Sequence, residues 1–353
     1  MNEVAALERA SALCDLRRYD DAAVQLQTLL ATDPHNARGL CLMAQVQLGQ
    51  AAYDQALRSS QAAIAETPEN DWPYRLASLT LSRLGRHQDA RAMARTAIRL
   101  APHEPQCHTM LARVLASSGS DLGEARTAAE QAVLLAPHDP TSHIVVGMVA
   151  AADTRIEDAT AAFHRALAIE PNNSTAHHEL ARLQLRKHRF GNPVGLAKAA
   201  GGFATALRAD PRGRMSRRNL DFVMHVSLGR MAYATFVVAF FARQLHGISD
   251  AGPARWLPAM LLAFPILIAV RFVSGLTPAL RAHLMRLLRT PFIAGAAACD
   301  AVAAAALVVG AAVQRASSMA FGLAAVFALL ALMILRLQTR RKFRRTRSLE
   351  RKN

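Results

Sequence analysis

Cysteine and histidine are the side chains of this sequence best suited to bind a metal, and their spacing argues against it. The chain has four cysteines and 13 histidines. The cysteines form no CxxC pair and lie far apart, at Cys14, Cys41, Cys107 and Cys299. Zinc and redox sites bring cysteines close together in sequence, so we expect free thiols in a reducing compartment. We expect neither a metal nor a cofactor.

Three of the histidines recur at a nearly constant interval: His108, His143 and His177. Equivalent points of stacked helices lie on the order of 10 Å apart, the helix-packing distance. Metal ligands lie about 2 Å from their ion, so these three side chains cannot share one. The interval therefore favours a packing role for the three histidines.

Catalytic motifs are absent from the sequence. It contains no GxSxG, no P-loop, no HExxH and no Gly-rich dinucleotide fingerprint, which are the patterns that place a nucleophile, a phosphate or a zinc ion. We therefore expect that the protein is not an enzyme.

Two charged residues, Arg230 and Asp300, interrupt long apolar runs near the C-terminal end of the chain. Charges inside a membrane are costly and are usually paired or functional. We hypothesise an intramembrane Arg230–Asp300 pair that locks a helix bundle. The alternatives are that Arg230 reaches the headgroups, that the first span starts later, or that the two residues form an ion relay.

A repeat of about 34 residues organises the N-terminal part and must position any binding residues there. Prolines recur at intervals of 34, 34, 35, 34 and 40, at Pro34, Pro68, Pro102, Pro137, Pro171 and Pro211. Small residues keep a fixed distance before each proline, at Ala22, Ala56, Ala90, Ala125, Ala159 and Ala199. A second such column runs through Ala10, Ala44, Ser78, Ala112, Gly147 and Ala181. Small residues let two helices pack closely, proline ends a helix, and stacked helix pairs share one core.

These columns resemble the tetratricopeptide repeat, as do the segments 84–90, 97–102 and 163–171. The resemblance covers about residues 3–211 and implies an all-α solenoid of about six helix pairs. The first repeat, with Arg9 in its leading helix, looks like a cap. The sixth carries about six extra residues around 189–198, which we interpret as a longer loop between its two helices.

The resemblance also implies a peptide-binding groove along the first helix of each repeat. Carried onto this sequence, the groove positions include Arg38, Trp72, Arg75, Arg83, Arg113, His178, Arg182 and Arg186. The 25 positions of repeats two to six contain six arginines and no acid. We therefore expect a protein or peptide partner that is acidic or bears a free carboxylate, because arginine binds carboxylates with two hydrogen bonds.

The C-terminal part differs in composition and indicates a membrane domain. Residues 1–219 hold 25 Lys or Arg and 22 Asp or Glu, whereas 220–353 hold 17 and four. Apolar stretches at about 222–242, 256–273, 292–313 and 318–335 are near the ~20 residues that span a bilayer. We divide the chain into a solenoid (1–211), a basic connector (212–221), a four-helix transmembrane domain (222–335) and a basic tail (336–353).

Basic residues alternate between rich and poor loops along this domain. Because positive loops stay in the cytosol, we expect both termini and the solenoid in the cytosol, at a bacterial cytoplasmic membrane. The sequence thus predicts a membrane-anchored scaffold that recruits a cytosolic protein. The alternative is a small transporter or intramembrane enzyme regulated by the repeats. Binding of nucleic acid by the tail is disfavoured, since basic residues beside apolar runs are typical of membrane insertion.

Overall fold

The computed structural model describes residues 3–187, 193–213 and 215–227, together with residues 229, 233, 237, 274 and 280. Regular structure in this part of the chain is entirely α-helical. The protein packs as two compact units, residues 1–179 and residues 180–352. The all-α fold class expected from the sequence is confirmed for the described residues.

Twelve named helices succeed one another along the described chain, most of them 13 or 14 residues long. They are α1 Glu3–Asp15, α2 Tyr19–Thr32, α3 Ala37–Gln50, α4 Tyr53–Glu66, α5 Asp71–Arg83, α6 His87–Leu100, α7 Pro105–Ser118, α8 Leu122–Leu135, α9 Pro140–Ala152, α10 Ile156–Ile169, α11 Ser174–Lys187 and α12 Pro193–Ala209. From α1 to α9, each odd-numbered helix packs on the even-numbered helix that follows it, and from α1 to α7 each also packs on the next odd-numbered helix. The predicted helical repeat fold is therefore present, with the odd-numbered helices forming one layer.

Each repeat ends in a short turn that also starts the next odd-numbered helix. The turn begins at a repeat proline, and a polar side chain just beyond it (such as Asn36 or Asp139) accepts a hydrogen bond from a backbone N–H of the next helix. The two distances are 2.8 Å to Gly39 and 2.8 Å to Thr141. Such caps satisfy N–H groups that the helix itself leaves unpaired.

The three regularly spaced histidines tie the start of an odd-numbered helix to the turn before it. The Nε2 atoms of His108 and His143 each lie 2.8 Å from the carbonyl oxygen of the preceding repeat proline, and that of His177 lies 2.9 Å away. Tyr74 makes the same contact through its hydroxyl, at 3.1 Å. These ring nitrogens thus bind backbone oxygen, in agreement with the predicted packing role.

The columns of small residues lie where the helices of a pair touch. All six members of the alanine column from Ala22 to Ala199 are fully buried. In the other column Gly147 is the smallest member, and a Cβ there would lie 2.5 Å from the ring of Phe163. Repeat four has Ala112 and Ala129 at the corresponding points, both buried. A large side chain on one helix of a pair, such as Phe163, is therefore matched by a smaller residue on the other helix, such as Gly147.

The sixth repeat differs from its expected form. Helix α12 begins at Pro193 and has 17 residues, so residues 193–198 belong to a helix. The expectation of a longer loop over 189–198 is wrong for those six residues. Proline at the first position of a helix is well tolerated because its missing N–H has no partner there.

A further helix continues the second unit beyond the repeats, over residues 215–227. Its Leu220, Val223 and Met224 join Phe203 of α12 in one apolar core cluster that also includes Leu280. Apart from residues 222–227 and a few single residues, the predicted transmembrane stretches lie outside the described residues, as do Arg230 and Asp300. Among the described helices, none combines the length and the apolar character needed to cross a membrane.

Candidate functional site

The candidate site is the exposed face of the odd-numbered helices, where the sequence places the groove residues. In residues 1–179 this face, here called the A-helix face, is built from α1, α3, α5, α7, α9 and the start of α11. The most informative side chains lie on α5 and α7, which are in direct contact. Ser82 of α5 and Ser117 of α7 are linked there by a hydrogen bond of 3.0 Å between their hydroxyls.

Arg75 is bound within the protein. Its Nε donates to a carboxylate oxygen of Asp71 at 2.6 Å, one turn earlier on α5, and the ion pair is mostly buried. Another guanidinium nitrogen donates to Gln106 of α7, and the thiol of Cys107 lies 3.4 Å from the same Asp71 oxygen. The positive charge of Arg75 is therefore largely compensated, and this residue joins two repeats.

Arg113 is different, although it occupies the same face one repeat later. Its Nε atom is buried and has no hydrogen-bond partner among the described residues. Burial, together with the nearby positive charge of Arg83, lowers the pKa of Arg113, and the carboxylate of Glu179 partly offsets this. A guanidinium presents donors only, in a planar fork that fits a carboxylate. Of the fork's donors, the buried Nε–H is the one shown to lack a partner among the described residues.

Arginines on the even-numbered helices form ion pairs with other repeats. Arg91 of α6 forms ion pairs with Asp121 and Glu124 of the next repeat. Arg126 of α8 reaches Asp153, at 3.4 Å. These pairs connect consecutive repeats. The Nε atoms of Arg91 and Arg113 are both buried without a hydrogen-bond partner among the described residues. Arg91 nevertheless holds two carboxylates through its other nitrogens, whereas the carboxylate that acts on Arg113 is that of the nearby Glu179.

The remaining predicted groove residues have varied surroundings. Trp72 is half-buried and packs on the apolar core clusters of the first repeats, so it is a packing residue between repeats. His178 and the adjacent Glu179 are buried, whereas the other four lie exposed at Arg38, Arg83, Arg182 and Arg186. The structure therefore brings Arg83 and Arg113 together with Glu179, and Arg75 together with Gln106.

Two participants of this face were missed by the sequence reasoning. Asp71 lies at the first position of its helix, one place before the groove columns, and Glu179 lies one place after His178. The signal available for Asp71 was its spacing of four residues from Arg75, which favours an ion pair on a helix. A search limited to the groove columns could not find either acid.

The cysteine thiols near this face are made unreactive by burial and by a neighbouring carboxylate. Burial raises the pKa of Cys41 and of Cys107 to about 12, with the carboxylate of Asp71 adding to the effect at both. Because only the thiolate is a good nucleophile or metal ligand, these cysteines serve as small apolar residues of the core. Within the described ranges no three metal-binding side chains come together.

Comparisons with known proteins give similarity to solved structures alone. No protein-family model and no curated protein matches the chain. A thermophilic tetratricopeptide-repeat protein from Thermus thermophilus is 23% identical with a TM-score of 0.48, covering 52% of this chain and 99% of that one. YrrB, described as a tetratricopeptide-repeat protein with an unusual peptide-binding site, is 16% identical with a TM-score of 0.34, over 55% and 96% of the two chains. PilW, a type IV pilus biogenesis factor, is 16% identical with a TM-score of 0.44, over 62% and 98%. At these values the fold assignment rests on the helix pairing described above.

Proposed function

We propose that this chain is a membrane-anchored interaction scaffold whose A-helix face binds an acidic segment or a free carboxylate of a protein partner. The observation that carries the proposal is Arg113, a half-buried arginine whose buried Nε has no hydrogen-bond partner among the described residues. Leaving a buried polar group unsatisfied costs about 1–3 kcal/mol. A partner that supplies a carboxylate there would recover part of that free energy on binding.

Charge around Arg113 supports the same class of ligand. Arg83 is exposed beside it and contributes a second positive charge, while Arg75 in the neighbouring repeat is already satisfied by Asp71. An incoming anion would therefore meet Arg113 and Arg83 first. Glu179, which is buried nearby, sets a limit on the negative charge that the site accepts and favours a single carboxylate over a dense acidic cluster.

The membrane part of the proposal comes from sequence. Apolar stretches of span length, separated by loops that alternate in basic content, favour a four-helix anchor with the repeats and both termini in the cytosol. In that arrangement the A-helix face would hold its partner at the inner surface of a bacterial membrane. We infer no catalytic step.

Selection from a library of random displayed peptides with free C-termini tests the ligand class. The purified full-length protein is expected to enrich peptides that carry an isolated Asp or Glu, or that bind through their C-terminal carboxylate. Arg113→Met should weaken the selected peptides by one to two orders of magnitude in Kd, because a hydrogen bond to a charged group is worth about 1.5–3 kcal/mol.

Arg99→Gln is the matched control, since Arg99 is an exposed arginine on the even-numbered helix α6 and the change removes the same charge. This variant should retain the wild-type Kd. Unchanged binding of the selected peptides by Arg113→Met would contradict the proposal. So would the enrichment of peptides without acidic residues that bind equally well when their C-terminus is amidated.

A further inference from the structure

The helix 215–227 has a second side that the core of its unit does not use. Ser216, Leu220, Val223 and Ser227 are buried on one side of this helix, which follows the spacing of one helical face. Met215 and Phe222 are instead 54% and 42% exposed. They are seven residues apart and therefore share a face, together with the exposed Arg218 between them.

Positive charge surrounds these two exposed apolar side chains. The stretch 208–222 contains five arginines and only two acids, and the arginines with described side chains are all exposed, at Arg208, Arg212, Arg217 and Arg218. Some of their donors are engaged locally, as where Arg217 donates to the carbonyl of Pro211 at 2.8 Å. The net charge of the stretch nevertheless stays positive.

We propose that this face, defined by Met215, Arg218 and Phe222, rests in the headgroup layer of an anionic membrane. Met215 and Phe222 insert between the headgroups, and Arg218 meets lipid phosphates. Basic residues beside large apolar side chains on one helical face are typical of an interfacial helix, and anionic lipids attract such segments. The first long apolar stretch, at about 222–242, begins within this helix, so an anchor there would bring the helix to the bilayer.

The consequence is orientation. The opposite side of the same helix packs with Phe203 of α12 in the last repeat, so contact with lipid on one side fixes the last helical repeat on the other. The inference rests on the proposed membrane anchor and adds that the last repeat is held against the membrane surface. Contact with anionic lipid then determines the orientation of that repeat.

Fluorescence quenching in reconstituted full-length protein tests the contact. The two native tryptophans are replaced (Trp72→Phe, Trp256→Phe), and Phe222→Trp supplies the probe in vesicles of equimolar phosphatidylcholine and phosphatidylglycerol. Lipids brominated near the headgroup end of the acyl chain should quench this probe more than lipids brominated near the chain end. Leu134→Trp in the same background is the control, because Leu134 is 73% exposed on α8 of the other unit, and it should not be quenched.

The inference would be overturned if the probe at residue 222 were equally bright with brominated and plain lipids while the protein resisted extraction by alkaline carbonate. The proposed membrane anchor would still stand in that case. Release of the protein by alkaline carbonate would instead refute the anchor. Since the substituted background could fold poorly, hydroxyl-radical footprinting of otherwise wild-type protein gives a second readout. Met215 should be oxidised more slowly in the mixed vesicles than in phosphatidylcholine alone, and Arg218→Gln should reduce that difference. Equal rates for the wild-type protein in both vesicle types would also overturn the inference.

Discussion

Arg113→Met should stabilise the protein in the absence of a partner, whereas Arg75→Met should destabilise it. The two arginines lie on the same face of consecutive repeats, and methionine keeps much of the apolar stem in both variants. The difference is in the partners. Arg113 leaves a buried Nε–H unsatisfied among the described residues, while Arg75 holds Asp71 at 2.6 Å and also binds Gln106.

The magnitudes follow from those contacts. Leaving a buried polar group unsatisfied costs about 1–3 kcal/mol, and replacing buried ionic groups by apolar ones is often neutral or favourable. We therefore expect Arg113→Met to raise the free energy of unfolding by ~1 kcal/mol, or Tm by ~2–4 °C for a unit of this size. Arg75→Met leaves the Asp71 carboxylate without its cation and should lower the free energy of unfolding by about 1–3 kcal/mol.

Thermal unfolding of the full-length variants in one detergent, followed by circular dichroism, gives the comparison. The opposite signs of the two Tm shifts are the result to look for, since repeat proteins do not always unfold in one step. A lower Tm for Arg113→Met, similar to that of Arg75→Met, would refute the reasoning. It would mean that Arg113 is needed by the fold and is not held in reserve for a ligand.

Three further outcomes follow from the described contacts. Gly147→Ala should cost about 1–3 kcal/mol by overpacking, and adding Phe163→Ala should recover more than additivity allows, as a double-mutant cycle by urea unfolding would reveal. Non-additivity below experimental error would contradict the contact. His143→Phe should lower stability by ~0.5–1.5 kcal/mol through loss of the hydrogen bond to Pro137, with exposed His164→Phe as a control near zero. Maleimide labelling of native protein near neutral pH should leave Cys14, Cys41 and Cys107 unmodified, because burial raises the pKa values of these thiols to about 11 or 12. The same three thiols should be labelled after unfolding.

The helical repeat could be predicted because each recurring position of the repeat follows a local physical rule. Proline stops a helix wherever it stands in the interior, and an alanine such as Ala90 is needed wherever two helices touch closely. Such rules act within one repeat, so five or six copies of the pattern reinforce one another. The histidines were also placed in the right class, since their interval alone ruled out a shared ion.

The parts that sequence could not supply depend on contacts between columns. The ring of Phe163 fits only because Gly147 faces it, and each residue alone looks like an ordinary variant of its column. Asp71 neutralises Arg75 from a position outside the predicted groove. The start of α12 at Pro193 was missed because an insertion reads as a loop by default, although proline is a good first residue of a helix.

The use of arginine in this chain then has one physical explanation. On the even-numbered helices, arginines such as Arg91 hold carboxylates of the next repeat, and such pairs add little where they are exposed. Arg113 forms no such ion pair among the described residues, its Nε is buried without a partner, and burial lowers its pKa. An anionic partner that binds at Arg113, as proposed, should therefore also stabilise the repeats. By linkage, a ligand at 100 times its Kd would raise stability by about 2.7 kcal/mol. At the same ligand concentration the 10- to 100-fold weaker binding expected for Arg113→Met would reduce that gain to about 0.4–1.4 kcal/mol, starting from the more stable state.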